Sequence, residues 1–95
     1  SLGRVAEDPA ALVYWVDLFG VQSGDRQEFR LVDPAGRVLV EERRELDASH
    51  VSWFAFAGRR RPTEGWRPGW YTATYRLMRG DETIVHRRAA IKVGS

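Results

Sequence analysis

The sequence predicts an all-β domain, an immunoglobulin-like antiparallel β-sandwich of about seven strands. Three observations predict it. Apolar residues alternate with a period of two along most of the chain, and no stretch of ten residues carries the 3.6-residue period of a helix. Turn signals also recur about every 8–12 residues, the spacing of a sandwich of this type. A small β-barrel is the alternative way to close the same strands. The 95 residues make one module spanning 1–95, because half that length would struggle to bury a core of its own. The chain starts at Ser1 without a methionine, which suggests a fragment of a longer polypeptide.

Six strands follow in order, and a seventh is possible within Leu2 to Glu7. Ala11 to Phe19 is rich in β-branched and aromatic residues. Leu12, Tyr14, Val16 and Leu18 share one face, while Val13, Trp15, Asp17 and Phe19 share the other, so the stretch reads as a strand covered on most of both faces. Gly20 and Ser23-Gly24-Asp25 end it. The next strand, Arg26 to Val32, alternates Phe29 and Leu31 with Glu28 and Arg30. Asp33-Pro34-Ala35-Gly36 is a turn: Pro34 presets φ, Asp33 bonds the backbone ahead of it and Gly36 permits the exit. The strand Arg37 to about Glu45 ends in Glu41-Glu42-Arg43-Arg44-Glu45. A helix competes for this piece, but such charge suits an edge strand that must resist pairing with other chains.

Val51 to Ala57 is the next strand, with Trp53 and Ala55 on one face and Phe54 and Phe56 on the other. Trp15 and Trp53, mid-strand among apolar neighbours, are expected in the core. A polar loop from Gly58 to Pro68 leads to the strand Trp70 to Arg79, and Gly80-Asp81 turns into a last strand, Thr83 to Val93, whose apolar phase is broken at Arg87. Tyr71, just after Pro68-Gly69, sits where such folds place a tyrosine whose hydroxyl bonds back to the preceding loop.

Composition excludes several classes of function. There is no cysteine, so no disulfide frame and no thiolate metal site. The longest apolar run, Ala10 to Val16, is far short of the roughly 18 residues of a membrane span. A net charge of +2, from 14 arginines and Lys92 against 13 acidic residues, is too small to point to nucleic acid. The N-terminal residues lack the basic start and apolar core of an export signal.

Catalytic patterns are missing as well. No serine lies in a Gly-x-Ser-x-Gly elbow, and Ser49-His50 is only a neighbour pair. His50 and His86 form no metal-binding spacing, and no glycine-rich phosphate loop exists. Glu41 and Glu42 point to opposite faces of one strand, while Glu41 and Glu45 read as a solvated edge. The expectation is a segment with no catalytic residue, no metal ligand and no cofactor. Binding is the stronger class, and its candidate surface is Arg59, Arg60, Arg61, Trp66 and Arg67. Arginine beside an aromatic ring can stack on bases or sugars. The opposing reading is that Trp66 and Trp70 plug the end of the sandwich and the arginines are solvated.

Val13 to Val93 resembles the β-sandwich domain at the C-terminal end of some bacterial zinc metallopeptidases of the lysostaphin type. The resemblance is carried by Tyr14-Trp15-Val16-Asp17-Leu18-Phe19-Gly20-Val21, by Gly24-Asp25 and by the run from Phe29 to Leu39. It continues through Trp53-Phe54-Ala55-Phe56-Ala57-Gly58-Arg59-Arg60-Arg61-Pro62 and Gly65-Trp66-Arg67-Pro68-Gly69-Trp70-Tyr71. It implies a non-catalytic accessory module of an exported peptidase that cuts peptidoglycan cross-links, located in the periplasm or cell envelope. Its partners would be the rest of the parent polypeptide, another protein or peptidoglycan. The family's zinc motifs lie in a separate domain and have no counterpart here. The alternative is a free-standing binding domain for an anionic or aromatic ligand, nucleic acid included.

Overall fold

A computed structural model describes residues 9–94 and the backbone of residues 2–4. The described residues form seven strands: β1 (Leu2–Arg4), β2 (Ala11–Val21), β3 (Arg26–Val32), β4 (Val38–Glu45), β5 (His50–Arg60), β6 (Gly69–Arg79) and β7 (Glu82–Val93). They make two sheets, one in the order β1-β7-β6-β3-β4 and one of β2 and β5 alone. Neighbours pair antiparallel except β1, which runs parallel to β7. This is a sandwich with the crossed connections of an immunoglobulin-like domain, and the barrel alternative falls because the sheets do not join. The possible first strand covers Leu2–Arg4, and the rest of its predicted span lies outside the described residues.

The core fills the space between the sheets. Val16, Leu18, Ala55 and Ala57 from the small sheet meet Phe29, Tyr75 and Leu77 from the large one. Leu12, Leu31, Trp66, Tyr71, Ala73 and Val93 extend it toward one end. Tyr75 is fully buried, its ring edge-on to Phe29 at 4.8 Å between centroids. Its hydroxyl and the Trp53 indole N–H both donate to Gln27 Oε1, each at 3.1 Å, so the polar atoms of the core satisfy one another. Burial, with the charge of Asp25 adding to it, pushes the Tyr75 hydroxyl up to about 12.

The charged strand is an edge, as its composition predicts, and not a helix. Its alternation breaks near the turn, where a bulge between Leu31 and Val32 turns both Leu39 and Val40 toward the core. In the turn itself Asp33 Oδ1 accepts the N–H of Ala35 at 2.9 Å and of Arg37 at 2.8 Å, and Gly36 takes a φ of 87°. Gly69 is required twice over: its φ is 132°, and a Cβ there would lie 2.8 Å from Pro34.

Two expectations about the strands are overturned. The strand β2 is covered on one face only. Leu12, Val16 and Leu18 are buried, but Trp15 is 58% exposed and so is not core. The polar loop also starts later than Gly58, because β5 runs on through Arg60, which pairs with Ala11. Both follow from the small sheet having two strands. Nothing described packs on its outer side, and β2 is long enough to carry β5 past the apolar stretch.

Tyr71 forms the expected corner. Its hydroxyl donates to the Arg67 carbonyl at 2.6 Å, and burial raises its pKa, with Asp33 adding to the rise. Tyr71→Phe should cost about 1 kcal/mol, approaching roughly 3 if the Arg67 carbonyl is left unsatisfied. Urea unfolding checks this, and an unchanged midpoint would mean that the corner bond contributes nothing.

Candidate contact surface

The feature that stands out is the outer face of the small sheet. Antiparallel register sets Val13 beside Gly58, Trp15 beside Phe56, Asp17 beside Phe54 and Phe19 beside Ser52. Exposure is 58% for Val13 and Trp15, 84% for Phe19, 59% for Phe54 and 63% for Phe56. The rings touch one another: Trp15 lies 5.8 Å from Phe54, and Phe54 lies 6.1 Å from Phe56. Asp17 is the one acid among them, and Arg60 continues the same face beyond Gly58. Monomeric soluble domains seldom leave a contiguous apolar patch of this extent in water.

Register and size explain why these rings point outward. The inner face of β5 carries Ala55 and Ala57, small residues that let the sheets approach where Phe29 and Tyr75 already fill the space. The bulky alternates must then face out. Trp53, at the end of the inner row, is half-buried against the core, with His50 stacked on it at 4.8 Å and the Arg44 guanidinium 5.8 Å from its centre.

The residues predicted to bind are placed less favourably. Trp66 is buried, donates its indole N–H to the Pro9 carbonyl at 2.6 Å and meets Tyr71 edge-on at 5.7 Å. It closes the end of the sandwich and offers no flat contact outward, which corrects the binding role considered for it. Trp70 does not share that plug; it is 47% exposed on the outer side of the large sheet. Arg59 reaches back to the Leu39 carbonyl at 3.3 Å, and Arg67 lies 4.0 Å from the Asp33 carboxylate. The Arg61 N–H is bonded to the Ala10 carbonyl. Of the predicted arginines, Arg67 therefore lies with Arg37 at the Asp33 turn and Arg59 reaches the strand that follows it, while Arg60 stands on the outer face of the small sheet and the tryptophan meant to join them is turned inward.

A cleft of about 750 Å³ opens between β2 and β7, floored by Leu12, Val16, Leu31, Tyr71, Ala89 and Ile91. Arg87, the break in the phase of β7, stands at its mouth. Burial pushes the Tyr14 hydroxyl up there, offset in part by the Arg87 charge. None of these places assembles a reactive group. Ser49 Oγ accepts the Ser23 N–H at 2.9 Å while its neighbour His50 stacks on Trp53, and Glu41 pairs with Arg30 and Arg43 at 3.8 Å on the exposed edge. Among the described residues no three His, Asp or Glu side chains are grouped to hold a metal ion. No helix among the described residues is long and apolar enough to cross a membrane. No family model, curated protein or solved structure matches this chain.

Proposed function

We propose that this chain is a non-catalytic contact module of an exported bacterial peptidoglycan peptidase, and that it makes its contact with protein through the outer face of the β2–β5 sheet. The peptidase context, and with it a place in the periplasm or cell envelope, rests on the resemblance of residues 13–93 to the accessory sandwich of lysostaphin-type enzymes. The contact itself rests on one observation, the connected exposed rings of Trp15, Phe54 and Phe56. Apolar surface held in water by a rigid sheet gains free energy when a second surface covers it.

A second reading has its own observation. The turn at Asp33 and the loop after β5 bring Arg37 and Arg67 to one pocket, with Arg59 reaching the Leu39 carbonyl beside it, which favours an anionic polymer. Such binding would weaken as salt rises, because exposed charges are screened.

Co-sedimentation with purified peptidoglycan sacculi separates the two. The contact reading expects the chain to stay in the supernatant at low salt. Pelleting that is lost in Arg59→Ala/Arg60→Ala/Arg61→Ala would overturn it in favour of the polymer. The gene is a further check: a His-x-His peptidase domain in the same reading frame is expected, and its absence would remove the peptidase context.

A further inference from the structure

We infer that the partner of the aromatic face is a second copy of this chain, packed face to face in the antiparallel sense. This rests on the contact reading above and names its partner. Two observations carry it, the size of the face and its self-complementarity.

Trp15, Phe54, Phe56 and Val13 present on the order of 450 Å² of apolar surface, taking about 150–250 Å² for a whole aromatic side chain. A standard stable interface covers about 800 Å² on each partner. The apolar part of the face therefore supplies about half of that area, and its rim of Ala11, Asp17, Ser52 and Arg60 adds to it.

Complementarity follows from the register. Consider a two-fold axis lying in the interface and crossing both strands at the level of the Tyr14–Ala57 pair. It brings each row of one copy over the row equally far on the other side of that level. The bulky row Trp15/Phe56 then falls on the shallow row Val13/Gly58 of the second copy. The row Asp17/Phe54 falls on the row Ala11/Arg60. Trp15 comes over Val13 and Phe56 over Gly58, so large side chains meet small ones; Asp17 comes over Ala11 and Phe54 over Arg60, which sets the one acid of the face diagonally beside its one base, one strand spacing away and twice by symmetry. Facing sheets about 10 Å apart leave room for this interdigitation, and a crossing near 30° suits their twist. An isologous contact of this kind closes on itself and forms a dimer, not a filament.

Sedimentation velocity over a range of concentrations tests the proposal, with circular dichroism confirming that each variant is folded. The wild-type chain should shift from monomer to dimer with a dissociation constant on the order of 10–100 µM, as suits a face below standard size. Trp15→Ser/Phe56→Ser should remain monomeric. The charge variants provide the sharper test, because both positions are exposed and their exchange leaves the core intact. Asp17→Arg alone and Arg60→Asp alone should each weaken the dimer about tenfold, and the two together should restore it to within about threefold. A chain that stays monomeric near 1 mM, or a dimer that survives Trp15→Ser/Phe56→Ser, would overturn the proposal. So would failure of the double exchange to restore a dimer that the single ones weaken. A monomer that instead binds the peptidase domain of its own gene through Trp15 and Phe54 would overturn self-pairing while leaving the contact reading standing; only the sacculus result above removes that reading.

Discussion

Asp25→Ala is expected to destabilise the domain by about 3 kcal/mol, through loss of charge-assisted hydrogen bonds and of a buried partner. Asp25 is 1% exposed at the start of β3. Its two carboxylate oxygens each accept from the Arg79 guanidinium at 2.9 Å, and one also accepts the Gln22 N–H at 2.8 Å. Its own N–H donates to the Gln22 carbonyl, and its carbonyl accepts the Leu46 N–H at 2.8 Å. One side chain thus ties the loop after β2 and the end of β6 at the point where the backbone holds the loop after β4. Leu46, 1% exposed, is sealed beneath that junction.

The same substitution has a predictable pH dependence. The hydrogen bond from Arg79 is the main cause that holds the Asp25 carboxyl below its ordinary value. A carboxyl depressed in the folded state contributes stability that is fully present above its ordinary pKa of 3.8 and is lost as pH falls through its lower folded value. The difference between wild type and Asp25→Ala should therefore be greatest near neutrality and shrink below pH 3.8. Urea unfolding at neutral and acid pH measures both quantities. A difference under about 1 kcal/mol at pH 7, or one that does not shrink in acid, would show that the carboxylate is not the fastening.

The strands were legible because alternation is a direct consequence of a pleated backbone. Phe29 and Leu31 face in while Glu28 and Arg30 face out, and Tyr71, Ala73, Tyr75 and Leu77 line one side of β6, as the spacing requires. The Asp33 turn and the Tyr71 corner were legible for a different reason, since each is a local bond between near neighbours. What alternation does not reveal is which of two apolar faces meets the other sheet. In β2 both faces are apolar, and the choice is made by partners distant in the chain: Tyr75 and Phe29 demand Val16 and Leu18 opposite them. In β5 a signal was present. Ala55 and Ala57 alternate with Phe54 and Phe56, and where two sheets must approach over bulky rings the alanines belong inside. That reading would have moved attention from the arginines after Gly58 to the rings before it. Asp25 and Gln27 were not legible at all as core residues, because a polar residue is buried only when its partners are already in place.

Trp66→Ala is expected to cost about 3–5 kcal/mol, the largest effect in the domain, because it removes a large ring from a site that cannot collapse to fill the space. The indole spans the open end of the sandwich. One side meets Tyr71, and the N–H reaches the Pro9 carbonyl, 57 residues away, at 2.6 Å. It thus joins the segment before β2 to the loop before β6, just beyond the end of the β2–β5 pairing. Trp66→Phe keeps most of the apolar contact and loses the hydrogen bond, so it should cost nearer 1 kcal/mol. The ratio of the two, read from urea unfolding, tells whether packing or the hydrogen bond holds this end. The outcome also decides the role of the residue. A plug lowers stability when removed and leaves surface binding alone; a recognition side chain does the reverse. If Trp66→Ala were as stable as the wild type and instead altered retention on sacculi, the ring would be working at the surface and the closure described for this end would be wrong.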